Sequence, residues 1–199
     1  MAPPQPLSEE MVKIDPDGDV LFIMSSDKHT ARLLVSSKVL SLASPVFAAM
    51  FGPRYKEGNS LNSGCPSEVP LPEDDPEAMT LLCNCLHFRT DYIPRNVEFS
   101  LLKALAILCD KYNVAKAISA WNILWLQKWE TSECEDGFEG LLVVIYALDC
   151  PEAFAKMSKK AILDQVGPFD THRVLDGFDM VPKALLGILE ISLIHPRVN

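Results

Sequence analysis

Three residues that lie close together in the chain are of the types that bind zinc. Cys83, Cys85 and His87 fall within Cys83-Asn84-Cys85-Leu86-His87, a segment whose apolar spacing predicts a helix. On a helix, Cys83 and His87 share a face, whereas Cys85 points roughly the opposite way. A structural zinc site takes four tetrahedral ligands, and no second pair of ligands is spaced to complete the set. The segment therefore favours buried thiols, and a metal- or small-molecule-binding helical protein is kept as the alternative of another class.

The residue types needed for catalysis are present without a recognised arrangement. A nucleophile needs a base beside it and a further group that orients the base. The histidines lie next to no glycine-rich turn or acid–base motif, and they are His29, His87, His172 and His195. The sequence also lacks a phosphate-binding loop, a dinucleotide fingerprint and a G-x-S-x-G elbow. We therefore expect no enzymatic activity, no catalytic residue and no cofactor.

Three tryptophans recur every four residues along a predicted helix from Ala115 to Trp129. Trp121, Trp125 and Trp129 lie along one drifting stripe of that helix. The pattern favours a packing surface for the helices that follow. The alternative is that Trp129, at the end of the stripe, is an exposed anchor for a partner, because aromatic residues dominate binding hot spots.

The composition is that of an acidic globular chain. Hydrophobic residues make up 48% of it and the formal net charge is −9, so a core can form and no basic patch predicts nucleic-acid binding. The longest apolar run, Leu141 to Leu148, is too short to cross a bilayer, and no signal peptide or membrane association is expected. The cysteines are irregularly spaced in mostly apolar surroundings, which indicates free thiols in a reducing compartment, the cytoplasm or the nucleus.

The stretch from Ala31 to Phe51 changes from strand to helix period. Leu33 and Val35 alternate with more polar residues, and helical spacing follows. Ser36 or Ser37 can cap the first helix, and Ser44 before Pro45 can cap the second. We predict a strand followed by two short helices, almost all of it buried.

The remaining elements predict an α+β fold, with a small three-stranded sheet flanked by short helices and about three further helices at the carboxyl end. The other predicted strands are Val20 to Met24 and Ser67 to Leu71, and Met11 to Ile14 is a candidate edge strand. The acidic residues between Glu68 and Glu77 are expected on a solvated rim. The predicted helices are Pro76 to Phe88, Glu98 to Tyr112, Ala115 to Trp129, Gly140 to Asp149, Pro151 to Val166 and Pro182 to Ile194. We expect a flexible tail over residues 1–16, a domain over 17–130 and a helical extension over 131–199.

The central stretch resembles the BTB/POZ domain, in the form common in fungal proteins. The family pattern places an Asp near the start of the first strand and a Val, a Leu, a Ser and two aromatic positions at fixed spacing after it. The matching residues are Asp19, Val35, Val39, Leu40, Ser44, Phe47, Met50 and Phe51. Ser36 stands where most animal members carry His, so we expect the Asp19 carboxylate to bond a hydroxyl or amide at Ser36. The resemblance covers roughly Asp17 to Glu130.

This resemblance implies protein–protein association without catalysis. The leading form is a homodimer, or a pair with another BTB protein, through the helices around Lys38 to Ala49 and the sheet edge near the amino terminus. The second is an adaptor that binds the cullin scaffold of a ubiquitin ligase through helix Pro76 to Phe88, the loop Arg89 to Asn96 and the following helix. The candidate interface residues are Lys38, Ser41, Leu42, Ala49, Tyr92 and Trp129.

Overall fold

A computed structural model describes residues 10–25, 30–59, 65–130 and 138–164 of the chain. These residues build a mixed α+β structure, which confirms the predicted class. The chain divides into two compact units, residues 1–118 and residues 119–199. This division falls within the predicted helix Ala115 to Trp129. The predicted domain limit at residue 130 depends on the family resemblance and stays a prediction.

The described strands of the first unit form one mixed sheet with the order β1-β3-β2-β4. They are β1 (Glu10–Lys13), β2 (Val20–Ser25), β3 (Thr30–Val35) and β4 (Ser67–Pro70). The central strands β2 and β3 are antiparallel, with Phe22 opposite Leu33, while β4 runs parallel to β2 with Val69 opposite Phe22. Phe22 and Leu33 are buried, as the apolar run of a central strand predicts.

The described sheet has four strands where three were predicted, because the candidate edge strand at Met11 to Ile14 forms as β1. It pairs in parallel with β3, and Val12 lies opposite Leu33. Directly after β1, the amides of Ile14 and Asp15 both donate to the carbonyl of Leu34, at 2.9 and 3.0 Å. These bonds fix residues 10–15 to the sheet, so the flexible tail predicted over residues 1–16 is wrong for that part. Residues 1–9 lie outside the described residues.

The described part of the first unit contains five α-helices and two short 3₁₀ helices, and a capping side chain precedes three of the α-helices. The helices are α1 (Ser37–Ala43), α2 (Pro45–Met50), the single turn α3 (Lys56–Asn59), α4 (Pro76–Leu86) and α5 (Phe99–Lys111), with short 3₁₀ helices at Thr90–Tyr92 and Ala115–Ile118. The Asp75 carboxylate accepts from the amide of Ala78 at 2.8 Å, which confirms the predicted start of α4. Helix α4 packs against α5, β3 and α1.

An aromatic stack forms the centre of the first unit. The rings of Phe47 and Tyr112 lie 4.3 Å apart between centroids, and Phe22 and Phe51 lie 5.9 and 6.0 Å from Phe47. All four side chains are buried. The stack therefore joins β2, α2 and the end of α5 in one core.

The second unit is helical in its described part. It contains α6 (Ser119–Glu130), α7 (Phe138–Ala147) and α8 (Pro151–Asp164), and α8 packs against both α6 and α7. Trp125 is buried, and the side-chain Nδ2 of Asn122 donates to the carbonyl of Leu148 at 3.2 Å. The predicted helix Pro182 to Ile194 lies outside the described residues. Across the described ranges, no helix has the length and apolar character needed to cross a membrane.

Candidate docking surface

The start of α1 is fixed by its own cap and by a carboxylate from the start of β2. The Ser36 hydroxyl accepts from the amide of Val39 at 3.5 Å, so Ser36 is the cap residue. The Asp19 carboxylate accepts from both the amide and the hydroxyl of Ser37, at 2.7 and 2.6 Å. The expected partner was Ser36, but that residue is extended (φ −93°, ψ 117°) and its hydroxyl turns toward the helix. Asp19 therefore bonds Ser37 instead.

His87, the residue that follows α4, also contacts the start of α1. Its Nε2 atom accepts from the amide of Ser36 at 3.1 Å, and its Nδ1 atom lies 2.9 Å from the carbonyl of Cys83. An amide can only donate, so Nε2 carries no proton and Nδ1 donates to Cys83. Burial lowers the pKa of His87 below its ordinary value of 6.5, and Arg89 acts in the same direction.

Ser44 caps α2 and also ties it to α5. Its hydroxyl accepts from the amide of Phe47 at 3.0 Å and donates to the carbonyl of Tyr112 at 2.5 Å. Ser44 is buried, so both bonds form away from water. The predicted cap at Ser44 before Pro45 is confirmed.

The inward sides of α1 and α2 are filled by the residues that carry the family pattern. Leu40 and Phe47 are fully buried, Phe51 is buried beside them, and Met50 is partly exposed. Val35 is also fully buried, at the end of β3. These positions belong to the core and leave only the outward sides of the two helices for binding.

Apart from the exposed Lys38 at the start of α1, the outward sides of α1 and α2 are apolar. Leu42 is 82% exposed and Val46 is 36% exposed. Between Lys38 and Arg54 the sequence contains no charged residue. We call the exposed residues of this stretch, which follow here, the α1–α2 surface: Leu42, Pro45, Val46, Ala48 and Ala49. A surface with exposed aliphatic side chains and no charge has the character of an interface core.

A second exposed apolar feature follows α4. Phe88 is 85% exposed and has a positive φ of 58°. The amide of Phe88 donates to the carbonyl of Cys85 at 3.2 Å, and the amide of Arg89 donates to the carbonyl of Asn84 at 2.9 Å. These two bonds are the Schellman motif, whose left-handed position is usually glycine. Phe88 thus occupies a strained position while its side chain points largely into solvent.

Tyr92 lies near this turn and is 64% exposed. The guanidinium of Arg89 lies 4.0 Å from the centre of the Tyr92 ring, and it also donates to the Asn84 side chain at 3.4 Å. Arg89 therefore orders an aromatic ring that remains accessible.

No family model matches this chain. A search among curated proteins finds no match either. The BTB/POZ resemblance therefore stays a prediction from the residues quoted for it.

The residues predicted to form an interface fall in three places. Lys38, Ser41 and Leu42 lie on α1, and Ala49 lies on α2, which packs against α1. Lys38, Leu42 and Ala49 are exposed and Ser41 is partly exposed. Tyr92 lies in the turn region after α4. Trp129 lies in the second unit and is partly exposed, with Lys128 5.1 Å from the centre of its ring. The role of each in binding stays a prediction.

The candidate zinc residues are engaged in the fold. Cys83 and Cys85 are buried, and burial raises the pKa of Cys83 well above its ordinary value and that of Cys85 to about 12. Both ring nitrogens of His87 already make hydrogen bonds. Within the described ranges, no three His, Cys, Asp or Glu residues are grouped to hold a metal ion. His29, His172 and His195 lie outside the described residues.

Asp74 forms a buried network that sequence reasoning missed. Its carboxylate accepts from the ammonium group of Lys111 at 2.7 Å and from the hydroxyl of Tyr112 at 2.5 Å. Only 2% of the Asp74 side chain is exposed, so it does not belong to the solvated acidic rim expected there. Burial, with the bond to Asp74, raises the pKa of Tyr112 well above its ordinary value. The network joins α5 to the segment before α4.

Proposed function

We propose that this chain is a protein–protein interaction module that catalyses no reaction and pairs with a second copy of itself through the α1–α2 surface. The observation that carries the proposal is the exposure of Leu42, 82%, within a stretch that has no charged residue between Lys38 and Arg54. The resemblance to BTB/POZ domains, which associate through the corresponding helices, supports the same conclusion. A pair with another protein of that family would use the same surface.

The exposed side chains of the α1–α2 surface are not a poorly packed part of the core. Leu40 and Phe47, on the opposite sides of the same helices, are fully buried, and Ser44 makes two buried hydrogen bonds between them. The two short helices therefore have one satisfied side and one apolar side left in solvent. Burying that second side against another protein removes apolar area from water, which favours association.

The charge of the chain favours a second copy as the occupant. The net charge is −9, so two copies that approach through acidic surfaces repel each other. The α1–α2 surface avoids this repulsion, because it contributes no carboxylate. In a two-fold dimer the same patch meets itself, and a neutral apolar patch is self-complementary. Strand β1, at the edge of the sheet, offers backbone groups that can extend the contact.

The free thiols support a reducing compartment, and we place the protein in the cytoplasm or the nucleus. Cys83, Cys85 and Cys150 are buried and form no disulfide, and Cys65 is an exposed thiol. Such thiols persist where glutathione keeps cysteines reduced.

Sedimentation velocity on the full chain tests the proposal. We expect a dimer at micromolar concentration and a monomer for Leu42→Asp, because that change buries a carboxylate from each copy in an apolar interface. The matched control is Ile123→Asp, on α6 and 57% exposed, which adds the same charge outside the α1–α2 surface and should remain dimeric. A monomeric wild-type chain rejects the proposal, and a dimeric Leu42→Asp chain places the interface elsewhere.

A second candidate function, the cullin adaptor, is favoured by Phe88. An aromatic side chain that is 85% exposed at a position suited to glycine is a candidate anchor for another protein. Purified cullin amino-terminal domain should then bind the wild-type chain and bind Phe88→Gly at least tenfold more weakly, by about 1.4 kcal/mol. A wild-type chain that does not bind the cullin domain rejects the adaptor function and leaves the self-association test unaffected.

A further inference from the structure

The helix that carries the α1–α2 surface begins at a histidine contact that depends on protonation. We infer that His87 couples proton binding to this surface: the neutral ring holds the amide of Ser36 at the start of α1, and protonation releases that amide and weakens association. The inference rests on the proposed self-association and adds its regulation. Its geometric basis is the pair of bonds at the ring, Nε2 to the Ser36 amide at 3.1 Å and Nδ1 to the Cys83 carbonyl at 2.9 Å.

The two bonds fix which protonation state the folded chain accepts. The Ser36 amide donates to Nε2, so a proton on Nε2 would place two N–H groups against each other. The Nδ1–H group donates to the Cys83 carbonyl in both the neutral and the protonated ring, so protonation does not affect that bond. Only the neutral ring therefore satisfies both contacts, and the Ser36 amide loses its acceptor when the ring becomes charged.

The groups around His87 act on its charge in opposite directions. Burial of the ring disfavours the charged form, and Arg89, two residues further along the chain, does the same. Asp15, from the turn after β1, and the bond to Cys83 favour the charged form. Asp19 is engaged with Ser37, at 2.7 and 2.6 Å, at the start of α1. Burial and Arg89 outweigh Asp15 and the bond to Cys83, so the pKa of His87 lies below 6.5.

The sign of the linkage follows from this direction. The unfolded chain takes up a proton at His87 near pH 6.5, before the folded chain does. The stability contributed by the neutral ring is therefore fully present above pH 6.5 and is lost as the pH falls through the lower pKa of the folded state. Because the bond lies at the cap of α1, the loss acts first on the helix that presents Leu42.

Two measurements on the full chain test the inference. Nuclear magnetic resonance should show His87 as the Nδ1–H tautomer at about pH 7.5, and the Ser36 amide should shift with the same midpoint as the His87 ring, below about 6.5. Sedimentation should show a dimer dissociation constant that rises by about fivefold between about pH 7.5 and a pH below the midpoint of the His87 ring, as expected for the loss of one hydrogen bond.

The variant His87→Gln separates His87 from the other histidines. A glutamine side chain can accept from the Ser36 amide but does not titrate. The dimer dissociation constant of this variant should therefore change between the two pH values only as far as the other titrating groups of the chain change it. The matched control, His195→Gln, removes another histidine and should keep the wild-type response. If His87→Gln keeps the response as well, or if the His195→Gln control loses it, the inference is wrong.

The remaining outcomes are also decisive. The inference is wrong if the His87 ring titrates above 6.5, or if the Ser36 amide does not shift with the same midpoint as the ring. Both results come from the wild-type chain, so the test still stands if His87→Gln fails to fold. A chain that is monomeric at both pH values refutes the proposed self-association, and with it the coupling. The Ser36 titration then still shows whether His87 releases the start of α1.

Discussion

Replacing Phe88 by glycine should leave the stability of the fold almost unchanged, although a large aromatic side chain is removed. Phe88 has a φ of 58° and is 85% exposed. The left-handed conformation costs an ordinary residue about 1–2 kcal/mol, and glycine adopts it without that cost. Glycine in turn loses about 0.5–1 kcal/mol through the greater freedom of the unfolded chain.

The lost contact of the phenyl ring is small. An aromatic side chain that is fully buried removes about 200 Å² from water, so the covered fraction of Phe88 corresponds to about 30 Å², or about 0.7 kcal/mol. Strain relief, chain entropy and lost contact then nearly cancel for Phe88→Gly, to within about 0.5 kcal/mol. Phe88→Ala loses the same contact and keeps the strain, so it should be about 1 kcal/mol less stable than Phe88→Gly.

Urea unfolding of the two variants, followed by circular dichroism, measures this difference. The matched control is the same two substitutions, to glycine and to alanine, at Asn113. This residue follows α5, has a φ of 49° and makes the same two backbone hydrogen bonds as the turn at Phe88. Equal stability of Phe88→Gly and Phe88→Ala would show that the backbone at this turn is not left-handed in solution. A loss of more than about 1.5 kcal/mol for Phe88→Gly would show that the ring packs in the core, since full burial of Phe contributes about 1.5–3 kcal/mol. The ring would then not be an exposed anchor.

Two further predictions concern buried hydrogen bonds and can be measured by urea unfolding. Ser44→Ala should cost about 2–4 kcal/mol, because it removes a cap and leaves the carbonyl of Tyr112 without the hydroxyl that now donates to it. Ser36→Ala, whose cap bond is 3.5 Å long and partly exposed, should cost less than about 1 kcal/mol, and equal costs would refute the reasoning. Tyr112→Phe should cost about 1–3 kcal/mol, because the Asp74 carboxylate loses the hydroxyl that now donates to it; an unchanged midpoint would mean that water replaces the hydroxyl.

The parts of the fold that follow from short segments could be predicted from sequence. Ser44 caps α2 as predicted, and Asp75 caps α4 at its predicted start, because a cap is decided by residues within one turn. The end of α4 was less predictable. A glycine would have marked it, but Phe88 occupies the left-handed position, so the predicted helix ran two residues too far.

The parts that depend on distant partners could not be predicted. Strand β1 (Glu10–Lys13) is so short that the sequence indicates only a candidate edge strand at Met11 to Ile14, and its place in the sheet depends on the hydrogen bonds that β3 supplies. Asp74 looks like one acidic residue among several, and only the approach of Tyr112 makes it a buried group. The His87 contact with Ser36 joins residues from different elements, and no local pattern indicates it.

The polar side chains around the start of α1 stabilise a helix that is too short to form by itself. An isolated helix as short as α1 is not stable in water, because the cost of its first turn exceeds the gain from so few hydrogen bonds. Here the first turn is held by the Ser36 hydroxyl, the Asp19 carboxylate and the His87 ring. A surface that is ordered before its partner arrives loses less conformational entropy on binding and therefore binds more tightly. In the proposed self-association, these serine, aspartate and histidine side chains would hold Leu42 in a fixed geometry.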